Sequence, residues 1–418
     1  MRRLTLFASL FLSLASCGSD EAPLEFVAES ELPDIPATTR PAAHPDAIKA
    51  IWVTRFDYKT EADLEAIFAN CAAAGFNTVM FQVRGNATAF YDSTFEPWAE
   101  QLGGTDPGFD PLARAVALAR GHGISLHAWI NLMTAWWGTE PPTDPEQVVN
   151  AHPDWLWYDQ YGKRQALSDK FYISLNPCLP EVQGYLRDVV LDIATRYDVE
   201  GIHLDYARFP SEPPATPAGT DIDYPRDART IELFGEATQM ALHQDKLPPV
   251  VQEAWDEWRT RQVTETVRGI REGLNVLESP PVLSVAVKAE PDGGLTYFQD
   301  AAGWVQDGLV DAVFPMNYVQ DVERFDLRNA SWLAALGQLE AEEHDVPHFV
   351  IGVRAAATDH AVTRALIEHA LEAGDGFCLF AYSNLFDSTN EDIDTQDEAA
   401  SSERARRRAA LLPFIAES

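Results

Sequence analysis

The sequence predicts a (β/α)8 barrel, and three observations carry that reading. Short apolar segments of strand character recur eight times with helical patterns between them, which argues for a parallel sheet of buried strands. Eight such units close a barrel, and long insertions follow the second, third and fourth strands, at the end where barrel sites form. The competing arrangement is an open doubly wound sheet. It is disfavoured because no glycine-rich phosphate turn follows the first strand.

The elements follow in order. Ala50–Thr54 is the first strand, and Thr60-Glu-Ala-Asp63 is a capping box that opens a helix ending at Gly75. Thr78–Arg84 is the second strand. Asp110 and Pro111 supply an N-cap and a first-turn proline for a helix that stops near Gly121. Ile124–Asn131 is the third strand, Glu181–Tyr197 a helix, and Gly201–Asp205 the fourth strand. Val282–Lys288, Ala312–Met316, His348–Gly352 and Gly376–Phe380 complete the eight, and Glu398–Leu412 is a closing helix with an arginine cluster. The insertions are Gly85–Phe109, Leu132–Pro180 and Tyr206 to about Val250; they wall one side of the strand-end face and leave room for a polymer.

Residues 1–16 read as a secretory signal: two arginines, then an apolar run from Leu4 to Ala15 too short to span a bilayer. The run ends Leu-Ala-Ser-Cys17, which resembles the bacterial lipobox. That implies cleavage before Cys17 and acylation of its thiol, with more than one chain giving a stable anchor. Gly18 and Ser19 follow Cys17 instead of Asp, which by the usual sorting pattern points to the outer membrane. Residues 17–47 are acidic and proline-rich without hydrophobic periodicity, a tether; residues 48–415 form the folded domain.

The formal charge of −34 becomes −36 after cleavage, because the signal carries two arginines and no acid. A surface this acidic repels phosphate backbones and excludes nucleic acid as a partner. Cys71, Cys178 and Cys378 are too few to pair completely, and Cys71 and Cys378 sit in apolar patterns that suit buried thiols. No zinc-like spacing occurs, and the acidic stretch 387–398 lacks the spacing of a calcium loop, so no metal or cofactor is expected. The chain is expected to be a monomer.

Alternation along a strand divides its residues between two faces. On the fourth strand His203 and Asp205 face the barrel interior, with Asp205 at the rim. A carboxylate there is costly unless it is hydrogen-bonded or does chemistry; a bridge to Arg208 is the plain structural alternative. His127, Trp129 and Asn131 share the inner face of the third strand, and Arg84 ends the inner face of the second. Glu290 is expected at the rim of the fifth strand, and Phe314-Pro-Met-Asn317-Tyr318 is followed by Asp321. Two carboxylates across a cleft are what glycoside hydrolysis needs, one to protonate the leaving oxygen and one to attack or stabilise the anomeric centre. Asp205 with Glu290 or Asp321 would supply the pair. Trp136, Trp137, Trp155, Trp157, Tyr158, Tyr161 and Tyr172 crowd the insertion after the third strand; such rings either stack on pyranose faces or pack the loop onto the barrel.

These segments together resemble the bacterial glycosyl-hydrolase-like 10 family. The matching pieces are Ile51-Trp-Val-Thr-Arg55, Gly75-Phe-Asn-Thr-Val79, Phe81-Gln-Val-Arg84, His127-Ala-Trp-Ile-Asn131, His152-Pro-Asp-Trp155, Leu175-Asn-Pro177 and, most specific, Gly201-Ile-His-Leu-Asp-Tyr-Ala-Arg-Phe-Pro210. The resemblance implies a glycan-cleaving (β/α)8 barrel with Asp205 as a principal catalytic carboxylate and Arg84, His127, Asn131 and Arg208 lining the site. It also implies peptidoglycan glycan as substrate, including strands stripped of stem peptides. Phe314-Pro-Met-Asn-Tyr318 further resembles the Met-x-Tyr of chitinase-type barrels, in which the substrate's N-acetyl group is the nucleophile; the full fourth-strand motif of those enzymes is absent.

The expectation is therefore a membrane-anchored glycoside hydrolase of the cell envelope acting by two carboxylates. Asp205 would be nucleophile or charge stabiliser, Glu290 acid/base and Asp321 its substitute. Arg84, His127, Asn131, Trp136, Trp137, His203, Arg208, Asn317 and Tyr318 would hold the polysaccharide. The alternatives are a non-catalytic carbohydrate-binding surface lipoprotein and a hydrolase of imported α-glucan-like polymers.

Overall fold

The computed structural model describes residues 47–210, 222–242, 247–342, 344–356, 359–389 and 398–418. The signal segment, Cys17 and nearly all of the tether lie outside these residues, as does most of the acidic stretch 387–398.

The elements in chain order are β1 (Ile48–Val53), α1 (Glu61–Ala73), β2 (Thr78–Arg84), α2 (Pro111–His122), β3 (Ser125–Asn131), β4 (Thr134–Gly138), α3 (Val148–Ala151), β5 (Ser168–Ser174), α4 (Pro180–Arg196), β6 (Gly201–Asp205), α5 (Ala228–Thr238), α6 (Pro249–Asn275), β7 (Val282–Val287), α7 (Ala301–Gln306), β8 (Ala312–Pro315), α8 (Val322–Ala341), β9 (His348–Arg354), α9 (His360–Ala373), β10 (Gly376–Phe380) and α10 (Glu398–Glu417). Eight of the strands close a parallel barrel in the order β1-β10-β9-β8-β7-β6-β3-β2, and β1 seals it by pairing with both β10 and β2. The fold is the (β/α)8 barrel that the alternating pattern predicts. The remaining pair, β4 and β5, forms an antiparallel hairpin inside the insertion that follows β3, where no strand is expected from the sequence.

Local chemistry sets the helix ends. The Thr60 hydroxyl accepts from the Asp63 amide while the Asp63 carboxylate accepts from the Thr60 amide, which closes the capping box on α1. Asp110 accepts from the amides of Leu112 and Ala113 ahead of Pro111. Gly123, at φ +67°, ends α2 two residues beyond Gly121 because only there does the chain turn left-handed. The arginine cluster of α10 fastens that helix to the segment after β10: Arg404 pairs with Asp387, while Arg407 and Arg408 donate to the carbonyls of Asn384 and Leu385.

Two apolar layers follow from strand alternation. Ile51, Val53, Val79, Phe81, Ile202, Leu204, Val285 and Val313 face outward to the helices. Trp52, Met80, Trp129, Phe314, Val350 and Cys378 fill the barrel lumen. Cys71, Cys178 and Cys378 are all free and buried.

Candidate active site

The lumen is polar beneath Asp205. Trp52 Nε1 can only donate, and it does so to His203 Nε2 at 3.1 Å. His203 is therefore neutral with its proton on Nδ1, which faces Ser284 Oγ at 2.9 Å. Burial, with His127 nearby, holds the His203 ring well below its ordinary pKa, and burial alone pushes His127 down to about 4. His127 lies flat against Gly201: any β-carbon at that position would meet its ring at 2.3 Å. Glycine at the start of β6 is what admits the imidazole.

Asp205 stands above this floor at the end of β6, in register with Asn131 of β3. The next residue, Tyr206, takes φ +50°, a conformation unusual for a non-glycine residue. This turn aims the Tyr206 amide at Asp205 Oδ1, 2.6 Å away, while the Asp205 carbonyl accepts from Leu132. Burial pushes the Asp205 carboxyl above its usual range. The Arg208 guanidinium (3.6 Å), the Tyr206 amide and Lys288 pull against that shift without cancelling it.

Two cavities share Arg55, Phe56 and Tyr172 in their walls. The inner one, of about 240 Å³, is lined by Asp205, Arg208, Trp52, Gln82, Trp129, Asn131, Tyr206, Met316, Tyr318 and Phe380 among others. The outer one, of about 780 Å³, is lined also by Trp137, Asn86, Gln101 and Asp169. A chain of rings joins them: Trp137 lies edge-on to Tyr172 at 4.8 Å, Tyr172 to Tyr206 at 5.2 Å, and Arg208 stacks over Tyr206 at 4.2 Å. Among the described residues lining the inner cavity, Asp205 is the sole carboxylate.

The structure thus brings Asp205, Arg208, Asn131 and Tyr318 together in the inner cavity and places Trp137 on the outer wall. His127 and His203 lie below, in the packed floor, and do not line it. The other expected site residues are placed elsewhere. Arg84 is fully buried: its Nε donates to both oxygens of Glu96, at 2.8 and 2.9 Å, and its Nη1 reaches the Asn131 and Leu132 carbonyls. The pairing of β2 with β3 slips between Gln82 and Arg84, so strict alternation fails there and Arg84 leaves the cavity face. Trp136 is buried, donates to the Glu140 carbonyl and lines a separate cavity of about 120 Å³. Glu290 lies beyond the end of β7 and binds Arg328 of α8 at 2.6 Å. Asp321 is the N-cap of α8, accepting from the Arg324 amide at 2.8 Å. Asn317 is buried and donates to the Phe325 carbonyl and to Asn329. Of the other loop aromatics, Trp155 stacks on His152 and Trp157 packs on Phe209 and Tyr224, so both fasten the insertion.

Tyr172, one of the insertion aromatics expected from the sequence to stack on sugar or to pack the loop, lines the inner cavity, and so do Thr54, Arg55 and Gln82, to which the sequence assigns no site role. The available signal was position: Thr54 and Arg55 follow β1 directly, at the strand end where barrel sites form.

Comparison with known proteins gives a consistent picture. The chain is 26% identical over 379 residues to the Glycosyl hydrolase DigH of Escherichia coli strain K12, an alignment covering 79% of each chain. It is 24% identical over 268 residues to the Glycosyl hydrolase YngK of Bacillus subtilis, covering 58% of this chain and 46% of that one. Among solved structures, the glycoside hydrolase domain of PgaB from Bordetella bronchiseptica superposes with a TM-score of 0.57 at 13% identity, over 87% of this chain and 98% of that chain. The catalytic domain of a Paenibacillus polymyxa β-amylase superposes with a TM-score of 0.55 at 9% identity, over 89% and 99%. These two likenesses are of fold. The profile of the Glycosyl hydrolase-like 10 family matches residues 47–356, most of the described domain, and the chain belongs to that family and to the glycoside hydrolase class of enzymes.

Proposed function

We propose that this enzyme cleaves glycan strands of the cell envelope, with peptidoglycan glycan as substrate and an acylated Cys17 holding it at the outer membrane. The observation that carries the catalytic part is Asp205: a buried carboxyl with a raised pKa at the foot of a ring-lined cleft. A raised pKa keeps the proton in place until it is needed, which suits a general acid better than a nucleophile. Asp205 gives its proton to the bridging oxygen as the bond to the anomeric carbon breaks. Water adds to that carbon, and its proton restores the carboxyl. Arg208 lies against Asp205 Oδ1, and the Tyr206 amide fixes the rotamer. Trp137, Tyr172 and Tyr206 offer sugar rings a continuous apolar path into the cavity.

In the two-carboxylate scheme Glu290 is the second group only if it leaves Arg328, and Asp321 only if it gives up capping α8. The test is residues 18–418 incubated with peptide-stripped peptidoglycan strands, with Asp205→Asn in parallel and chain ends read by mass spectrometry. New reducing ends from the wild type alone are expected. Equal yields from the two proteins would remove Asp205 from the mechanism. Saturable binding with no cleavage would establish the non-catalytic alternative.

A further inference from the structure

The inner cavity gathers unmatched hydrogen-bonding groups. Among the described residues, Arg55 Nε, Trp129 Nε1, and Nε and Nη1 of Arg208 are buried donors without a partner, and Asn131 Oδ1 is a buried acceptor without one. All belong to residues lining this cavity. Buried polar groups are normally satisfied, so a cluster of orphans in a cleft calls for a partner from outside the chain, ordered water or a polar ligand. Its composition describes that ligand: donors outnumber acceptors, and most of the donors are guanidinium N–H groups.

Arg55 is the more telling cation. Arg208 has Asp205 beside it, whereas Arg55 has no carboxylate partner among the described residues. Its Nη2 donates to the Tyr172 hydroxyl at 3.0 Å, Phe56 lies 4.3 Å from the guanidinium, and Gly85 presses against it so closely that a β-carbon would meet Nη1 at 2.3 Å. The residue is 3% exposed, so the charge has been taken out of water with no counter-ion among the described residues. It stands at the junction of the two cavities and lines both.

We propose that this junction is a carboxylate subsite: Arg55, assisted by Arg208, binds an acid group carried by the glycan. The inference rests on the reading of the cleft as a glycan site and adds that the sugar is anionic. Two sources have the required chemistry, an ether-linked lactyl acid as on peptide-free muramic residues and the ring carboxylate of a uronic acid. An anionic ligand also fits a cleft whose own carboxyl is held toward its neutral form. The acidity of the whole chain is no obstacle, because the cations are local.

The test is calorimetric binding to the Asp205→Asn protein, which separates recognition from turnover. The probes are a peptide-free peptidoglycan tetrasaccharide, the same sugar with its lactyl acids converted to primary amides, a hyaluronan tetrasaccharide and neutral chitotetraose. The lactyl acid is expected to bind about ten- to a hundredfold more tightly than its amide. Arg55→Gln should erase that preference and Arg55→Lys should restore part of it. Tyr172→Phe, which removes the hydroxyl holding Arg55 but keeps the charge, should weaken the preference and serves if Arg55→Gln does not fold. Tight hyaluronan binding would extend the subsite to ring carboxylates, and its absence would confine it to the lactyl group. Equal affinity for acid and amide together with no preference for hyaluronan over chitotetraose, or no binding of any acidic probe, overturns the proposal. Wild-type cleavage without acid preference would sink this inference and leave the hydrolase reading intact; acid preference without cleavage would do the reverse.

Discussion

The two halves of the barrel contribute differently to the cleft. The strands and loops from β1 to β6 bring all the charged groups of the inner cavity, Arg55, Asp205 and Arg208, with the polar Thr54, Gln82 and Asn131 and the rings of Trp52, Phe56, Trp129, Tyr172 and Tyr206. Those from β7 to β10 bring Ala286, Met316, Tyr318 and Phe380, a mostly apolar wall. Polar groups that could have come from the second half are tied up: Glu290 by Arg328, Asn317 by Asn329 and Phe325, Asp321 by the end of α8. The strands that the long insertions follow, β2, β3 and β6, are neighbours in the barrel and belong to the half that carries the charged groups. The charged groups therefore come from one side, and the other side adds mostly apolar wall.

The sharpest way to break this comparison is a pair of isosteric changes. Asp205→Asn is expected to lower kcat about 10²–10⁴-fold, the usual worth of a general acid, and Glu290→Gln less than about tenfold. Equal losses in steady-state assays would return Glu290 to the centre. Because the proton on Asp205 is needed and its pKa is raised, kcat/KM of the wild type should fall as pH rises through a value above the ordinary carboxylate range.

The next effect is on stability. Arg84 and Glu96 form a bridge in which neither side chain is exposed. Arg84→Ala strands the Glu96 charge and should cost about 3–5 kcal/mol in denaturant unfolding, with no counterpart at Glu290–Arg328, whose acid is 43% exposed.

Asp57 offers a third, of similar or smaller size. It accepts from the Thr54 amide and hydroxyl, and burial raises its pKa from 3.8 to about 6. The folded state therefore holds this proton more tightly than the unfolded one. Stability from this group is greatest below pH 4 and is lost as pH rises to about 6, by on the order of 3 kcal/mol. In Asp57→Asn that loss should vanish, so unfolding curves of variant and wild type should diverge in the variant's favour from pH 4 to pH 7. Parallel curves would show that the site is not dry.

The smallest effect sharpens the description of the outer wall. Trp137→Ala should raise KM for long oligosaccharides about two- to tenfold and leave short ones nearly unaffected, whereas Tyr161→Ala, 70% exposed and not part of either cavity, should change neither.

What could be read from sequence divides along the same line. The eight strands, their inward faces on β3 and β6, and the capping of α1 and α2 all follow from local pattern, because alternation and caps are properties of neighbouring residues. The site residues placed by counting along a strand held where the strand continued: Asn131 and Asp205 are its last residues. They failed where it did not. β7 stops at Val287, so alternation says nothing about Glu290, and the slip in β2 undoes the count at Arg84. The Asp321 cap is itself a local signal, but a carboxylate beside a strand end reads equally well as chemistry. Arg55 was not legible because its meaning lies in a missing partner, and which charges go unpaired is decided by contacts distant in sequence.

The hairpin of β4 and β5 has a wider consequence. Thr134 pairs with Ser174, and Leu175 returns to Met133, so the chain leaves the barrel and comes back at the same place. The excursion between them carries Trp137 and Tyr172, while Asp205 and the network beneath it rest on strands that the excursion does not interrupt. An attachment with adjoining ends is a replaceable part. Its length and rings can drift, or be exchanged for those of a relative, with the proton donor left standing. Preference for chain length can thus diverge between homologues faster than the reaction they perform.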